Sequence, residues 1–138
     1  MCERTIRRPR SERSQAGQAI VEFAMVGATF MFLLMSVIDL GRGVMAQNSI
    51  SHAAREGAHT ALYYGATDAQ VRQVVKAQAQ LAPSLTDAQI VITPSGSRDA
   101  GVTVMVSVSY IFEPITPMMS ALVPGGLALS ADAKSIVQ

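Results

Sequence analysis

Tryptophan is absent from the 138 residues, cysteine occurs once, and aromatic side chains make up only 5%. A lone cysteine excludes an intramolecular disulfide framework and a cysteine-rich zinc site. Charge is scarce at 15%, and the 11 Lys and Arg nearly balance the 10 Asp and Glu, which argues against a strongly basic nucleic-acid binder. Also missing are GxSxG, the P-loop, the Rossmann glycine fingerprint and any Cys/His pairing of catalytic type, so the chain is expected not to be an enzyme and to need no cofactor. What it has in quantity is apolar residues, 49%, too many for a disordered chain, in a length that suits one domain.

Those residues are unevenly spread. Up to Gly17, five arginines (Arg4, Arg7, Arg8, Arg10, Arg13) face two glutamates, a balance of +3, whereas the remainder sums to −2. A run of 20 residues follows, Ala19–Ile38, with Glu22 as its sole charge and no proline. At about 1.5 Å per residue a helix of this length reaches about 30 Å, the thickness of a bilayer's hydrocarbon core. The run is therefore read as membrane-spanning. Arginines before it place the N-terminus in the cytoplasm and everything after Asp39 outside, in the periplasm of a bacterium.

Three fates of this segment are compatible with the residues. Val44-Met45-Ala46 before Gln47 offers a small-residue signal-peptidase site, although the apolar run exceeds an ordinary signal core and Asp39 and Arg42 would separate it from the cut. An uncut anchor leaves Glu22 unexplained. A cut on the cytoplasmic side, after Gly17, keeps the apolar helix on the mature chain. Cys2 precedes the run and so is no lipoprotein cysteine.

Glu22 is costly, about 2.5–3.5 kcal/mol for an ionised side chain at a helix centre and less near its end. After a cut behind Gly17, Gln18 supplies an α-amino group, a cation below its pKa of about 7.7–8.0. Glu22 of one subunit can then meet the amine of an axially offset neighbour, which sets register between parallel helices. The alternative is an interfacial glutamate that reaches the lipid headgroups.

A basic leader ending in glycine, with glutamate five residues on, resembles the type IV prepilin signal, here Gly17-Gln18-Ala19-Ile20-Val21-Glu22-Phe23. Together with Ile38-Asp39-Leu40-Gly41-Arg42 and Ala53-Ala54-Arg55-Glu56-Gly57-Ala58, the stretch over roughly residues 15–60 is similar to the TadE-like family. That resemblance implies a minor pseudopilin of the tight adherence (Tad, or Flp) pilus machinery, cleaved by prepilin peptidase between Gly17 and Gln18. Glu22-Phe23 would stand where the family has its Glu-aromatic pair; Flp-type major pilins usually carry tyrosine there, so the hydroxyl is missing. Implied partners are other pilins and pseudopilins, inner-membrane platform proteins and the bilayer, with no nucleic acid.

Beyond the span, Ile38, Leu40, Val44, Met45 and Ile50 alternate with polar residues, and the Ala-rich Ser51–Ala61 favours continued helix to about Tyr64, ended by Gly65. Gly41 and Gly43 mark a bend at the membrane exit. Asp39 and Arg42, three apart, can pair on one helix face, or simply form the polar boundary of the span. His52, Glu56 and His59 share a face, but the HExxH order is absent and Arg55 intrudes, so no metal is expected. Arg55 and Glu56 are read as local or intersubunit ion-pair formers. Thr67 with Gln70 makes a capping box for a second helix through Val71, Val74, Val75, Gln78 and Leu81, stopped by Pro83.

From Ala88 onward β-branched residues dominate. Gln89–Thr93 reads as a strand, residues 94–101 as a turn-rich loop, and Val102, Val104, Val106 and Val108 alternate with polar residues or Met in a second strand through Phe112. Pro114 and Pro117 break it. Residues 118–126 are expected to be a connecting loop, and Leu127, Leu129, Ala131 and Ala133 to begin a third strand. The fold expected is α+β: a long N-terminal transmembrane, pilin-like helix, a second short helix and a small three-stranded antiparallel sheet. Its domains are a leader (1–17), a transmembrane helix (18–38), a membrane-exit helix (39–65) and an extracytoplasmic head (66–138). A function outside pilus assembly, as a single-span or secreted extracytoplasmic binding module, is the alternative.

Overall fold

A computed structural model describes residues 11–63, 65–82, 84–96 and 99–137. The leader residues 1–10, Tyr64, the stop at Pro83 and Arg98 of the loop lie outside the described residues, and the first helix, expected to reach about Tyr64, ends at Thr60. The chain is α+β, with a long apolar N-terminal helix, a short second helix and a three-stranded antiparallel sheet. Two compact units divide between Val37 and Ile38.

The first unit is the N-terminal part of α1 (Ser11–Thr60). Its large apolar side chains are exposed on every side: Ile20, Phe23, Met25, Phe30, Leu33 and Val37 among them. A helix apolar all round needs lipid or other helices about it. Within the apolar run Ala19–Ile38 the two hydroxyls are satisfied by the helix itself, Thr29 Oγ1 donating to the Met25 carbonyl and Ser36 Oγ to that of Phe32, each at 2.9 Å. Of the run's side chains, that leaves Glu22 as the polar group needing a partner.

The second unit begins at Ile38 and takes in the rest of α1, which continues as helix through Gly41-Arg42-Gly43, where a bend was expected. Ala46, Ile50, Ala53, Ala54, Gly57, Ala58 and Ala61 are buried at helical spacing. From Ile50 onward this stripe, small apart from Ile50 itself, shares one core with the valine face of the sheet. Gly57 fixes how close the neighbours come: a Cβ there would overlap the Val75 side chain and lie 3.4 Å from Val106. After Thr60 the chain turns tightly, and Gly65, at φ +85°, supplies the left-handed conformation that redirects it.

Helix α2 (Asp68–Gln78) has the expected capping box, with Thr67 Oγ1 accepting from the Gln70 N–H and Gln70 Oε1 accepting from the Thr67 N–H. Val71 and Val75 are buried, whereas Leu81 lies beyond the helix and is exposed. Thr67→Ala should cost about 1 kcal/mol, seen as a lowered thermal midpoint of the head by circular dichroism.

A single 3₁₀ turn (Asp87–Gln89) leads into β1 (Ile90–Thr93), which pairs antiparallel with β2 (Thr103–Phe112), itself antiparallel to β3 (Leu127–Ile136). The order β1-β2-β3 is the expected meander. Val104, Val106 and Val108 point inward with Ile90, Ile92, Ala131 and Ala133. Side chains tie α1 to β3: Gln47 Nε2 donates to the Ser130 carbonyl at 2.8 Å and Ser135 Oγ to that of Ala58 at 2.6 Å. Between β2 and β3 the expected loop contains a six-residue helix, α3 (Pro117–Leu122). Proline suits its first turn, where the missing N–H is no loss.

Candidate functional site

Two places carry the chemistry that the sequence singles out. One is the start of the apolar helix. Gly17, Gln18, Glu22 and Phe23 all lie on exposed turns of α1, and Phe23 is 79% exposed, more than any other large apolar residue among the described residues. A Cβ added at Gly17 would meet nothing within 4 Å. No described side chain forms an ion pair with Glu22. A carboxylate and a neighbouring aromatic ring are thus displayed without a cover from the described residues.

The other place is Asp39, the first residue after the run. Its side chain is buried at 2% exposure and accepts four hydrogen bonds. Thr116 Oγ1 donates to Oδ2 at 2.6 Å and the Thr116 N–H to the same oxygen at 2.9 Å. The Ile115 N–H reaches Oδ1 at 3.3 Å, and Arg42 Nη1 reaches it at 3.1 Å. The Thr116 hydroxyl and amide, with help from Ile115 and Arg42 and against the effect of burial, lower the Asp39 pKa from 3.8 to about 2. Arg42 also spreads over the Phe112 ring, 5.3 Å from its centroid, a cation–π distance.

So the Asp39–Arg42 pair forms, but it is part of a larger arrangement. The carboxylate clasps the segment between β2 and α3 onto the first turn of α1 in this unit. Sequence spacing shows Arg42; it gives no sign of Thr116, 77 residues away.

Farther along α1, His52, Arg55 and His59 are exposed and Glu56 is half-buried. Arg55 and Glu56 make no ion pair with described residues, and no metal-binding cluster occurs among the described residues. His59 instead meets Tyr63 edge-to-face, ring centroids 5.9 Å apart.

Glu22 with its aromatic neighbour, Asp39-Leu40-Gly41-Arg42 and Arg55-Glu56 now lie in order along one helix. Residues 17–59 match the family model described as TadE-like protein. This TadE-like segment starts at Gly17 and ends just before the close of α1; α2 and the sheet fall outside it. No curated protein and no solved structure matches the chain. The TadE-like segment and its apolar helix fit a membrane protein associated with the Tad pilus.

Proposed function

We propose that the chain is a structural, non-catalytic subunit for assembly of a Tad-type adhesion pilus, held in the bacterial inner membrane by α1, with its N-terminus cytoplasmic and its α+β head periplasmic. The observation that carries this reading is Glu22: the one charge in a 20-residue apolar run, uncovered, five residues after Gly17, where the TadE-like match begins. Prepilin peptidase removes the leader after Gly17, and Gln18 presents a new ammonium group. That cation and Glu22 of an adjacent pilin or pseudopilin neutralise one another in a medium that tolerates neither alone. Phe23 packs beside the pair, and the remaining apolar faces meet other pilins or inner-membrane platform proteins. Arg55 and Glu56, unpaired with one another, are available for contacts between subunits.

The test has two parts. The mature N-terminal residue, read from membrane-extracted protein, should be Gln18; Gln47 would instead indicate a secreted binding module, and an intact N-terminus a simple anchor. Glu22→Ala should insert in the membrane normally and yet abolish or strongly reduce surface pili, counted by electron microscopy. Normal piliation in that variant would remove the charge-pairing role.

A further inference from the structure

We infer that the face of the head formed by the start of the second unit's helix, α3 and the end of β2 is itself a membrane-binding surface, which lies in the interfacial layer of the same bilayer that α1 spans. Leu40, Val44, Phe112, Met119, Val123 and Leu127 line an apolar groove of about 300 Å³ on this face. Next in the chain to its lining residues Pro114 and Val123 are Ile115, 73% exposed, and Leu122, 69% exposed, among the most exposed large apolar side chains of the head. From Pro114 to Ala131 the chain carries no charged residue. A water-facing stretch of that length, here α3, its flanking turns and the start of β3, would ordinarily carry some charge, and contiguous apolar exposure marks an interaction surface.

What covers the groove follows from where it is tied. Thr116 is bonded to the carboxylate of Asp39, and Asp39 is covalently next to Ile38, the last residue of the apolar run. The α3 segment is therefore held at the membrane exit whatever the direction in which the run leaves it. Leu40 and Val44 follow Ile38 by about 3 Å and 9 Å of helix rise. The polar layer on each side of the hydrocarbon is about 5–8 Å deep, and interfacial elements sink about 5–10 Å into that boundary. Flexible Met and Leu side chains suit fluid acyl chains, and Arg42, its side chain 42% exposed and lying over the Phe112 ring of the groove, offers a cation for headgroups. The occupant is thus lipid, at the junction of acyl chains and headgroups.

This inference rests on the spanning role proposed for α1, and the absence of tryptophan from the sequence permits a test that separates the two. Three full-length variants, Leu122→Trp, Phe30→Trp and Tyr63→Trp, each change an exposed side chain. They are reconstituted in phosphatidylcholine vesicles containing lipids brominated either near the headgroup or deep in the acyl chain. Leu122→Trp should show blue-shifted emission and lose fluorescence chiefly to the shallow bromines. Phe30→Trp should be quenched by the deep ones, and Tyr63→Trp, at the far end of the head's helix, by neither. Quenching of Phe30→Trp with an unquenched, water-like Leu122→Trp overturns the inference and leaves the span intact. An unquenched Leu122→Trp whose emission is blue-shifted only at high protein-to-lipid ratio overturns it in favour of a protein neighbour. Loss of deep quenching in Phe30→Trp overturns both readings together.

Discussion

Gly57→Val should lower the thermal midpoint of the head by more than about 10 °C, followed by circular dichroism of the detergent-solubilised protein. Even one added methyl overlaps Val75 and sits 3.4–3.5 Å from Val106 and Val71. These neighbours are fully buried and β-branched, with little freedom to turn aside. Overpacking of this kind costs about 1–3 kcal/mol for small additions and more for larger ones. Each kcal/mol displaces the midpoint of a domain of this size by about 4–8 °C. Gly57→Ala should fall between the wild type and Gly57→Val, because about 1 kcal/mol of helix propensity offsets part of the clash. Gly41→Ala is the control: nothing lies within 4 Å of its added methyl, so the same propensity gain stands unopposed. A Gly57→Val protein with an unchanged midpoint would mean that α2 does not press against α1.

Asp39→Ala should free the segment between β2 and α3, seen as rapid hydrogen exchange of the Ile115 and Thr116 amides that Asp39 otherwise holds. The hydroxyl and amide of Thr116 would lose their acceptor in a buried setting, the costly way to remove a hydrogen bond. The pH dependence has a definite sign. Folding lowers the Asp39 pKa from 3.8 to about 2, chiefly through Thr116, so its contribution to stability is complete above about pH 4 and is lost as pH falls towards 2. Asp39→Asn should therefore be less stable at neutral pH and show a shallower acid loss in thermal melts. Some acid loss will persist, because Asp87 is also lowered by its hydrogen bond from Lys76. An Asp39→Asn protein with the wild-type acid profile would show that Asp39 does not titrate in this way.

Much of the head is legible in its residues. Alternating valines from 102 to 108 identify both the second strand and its inner face, because period two is the geometry of a strand. Thr67 and Gln70 locate the start of α2 through local hydrogen bonding alone. Other features depend on contacts that no local pattern announces. The alanines and glycine of 46–61 read as good helix formers or neutral spacers, yet they are the floor of the core. Small side chains carry a weak hydrophobic signal and become a packing face only when the sheet is laid on them. Pro117 reads as a strand breaker, and the same missing N–H makes it the first residue of α3. Glu22 is legible because its expense is intrinsic to an apolar run. Asp39 is visible as a boundary charge and as a partner for Arg42, but its principal bonds run to Thr116, and only the folded topology brings that residue near.

Five inward positions of α1, Ile50, Ala53, Ala54, Gly57 and Ala58, are committed to the core shared with the sheet and α2. Mutational drift is thus confined to the opposite side, where His52, Arg55, Glu56 and His59 can be exchanged without disturbing the valines beneath. A lineage adapting this subunit to a different filament would write the change there, in charge and hydrogen-bonding character. The inner side would retain its diminutive alphabet of alanine and glycine.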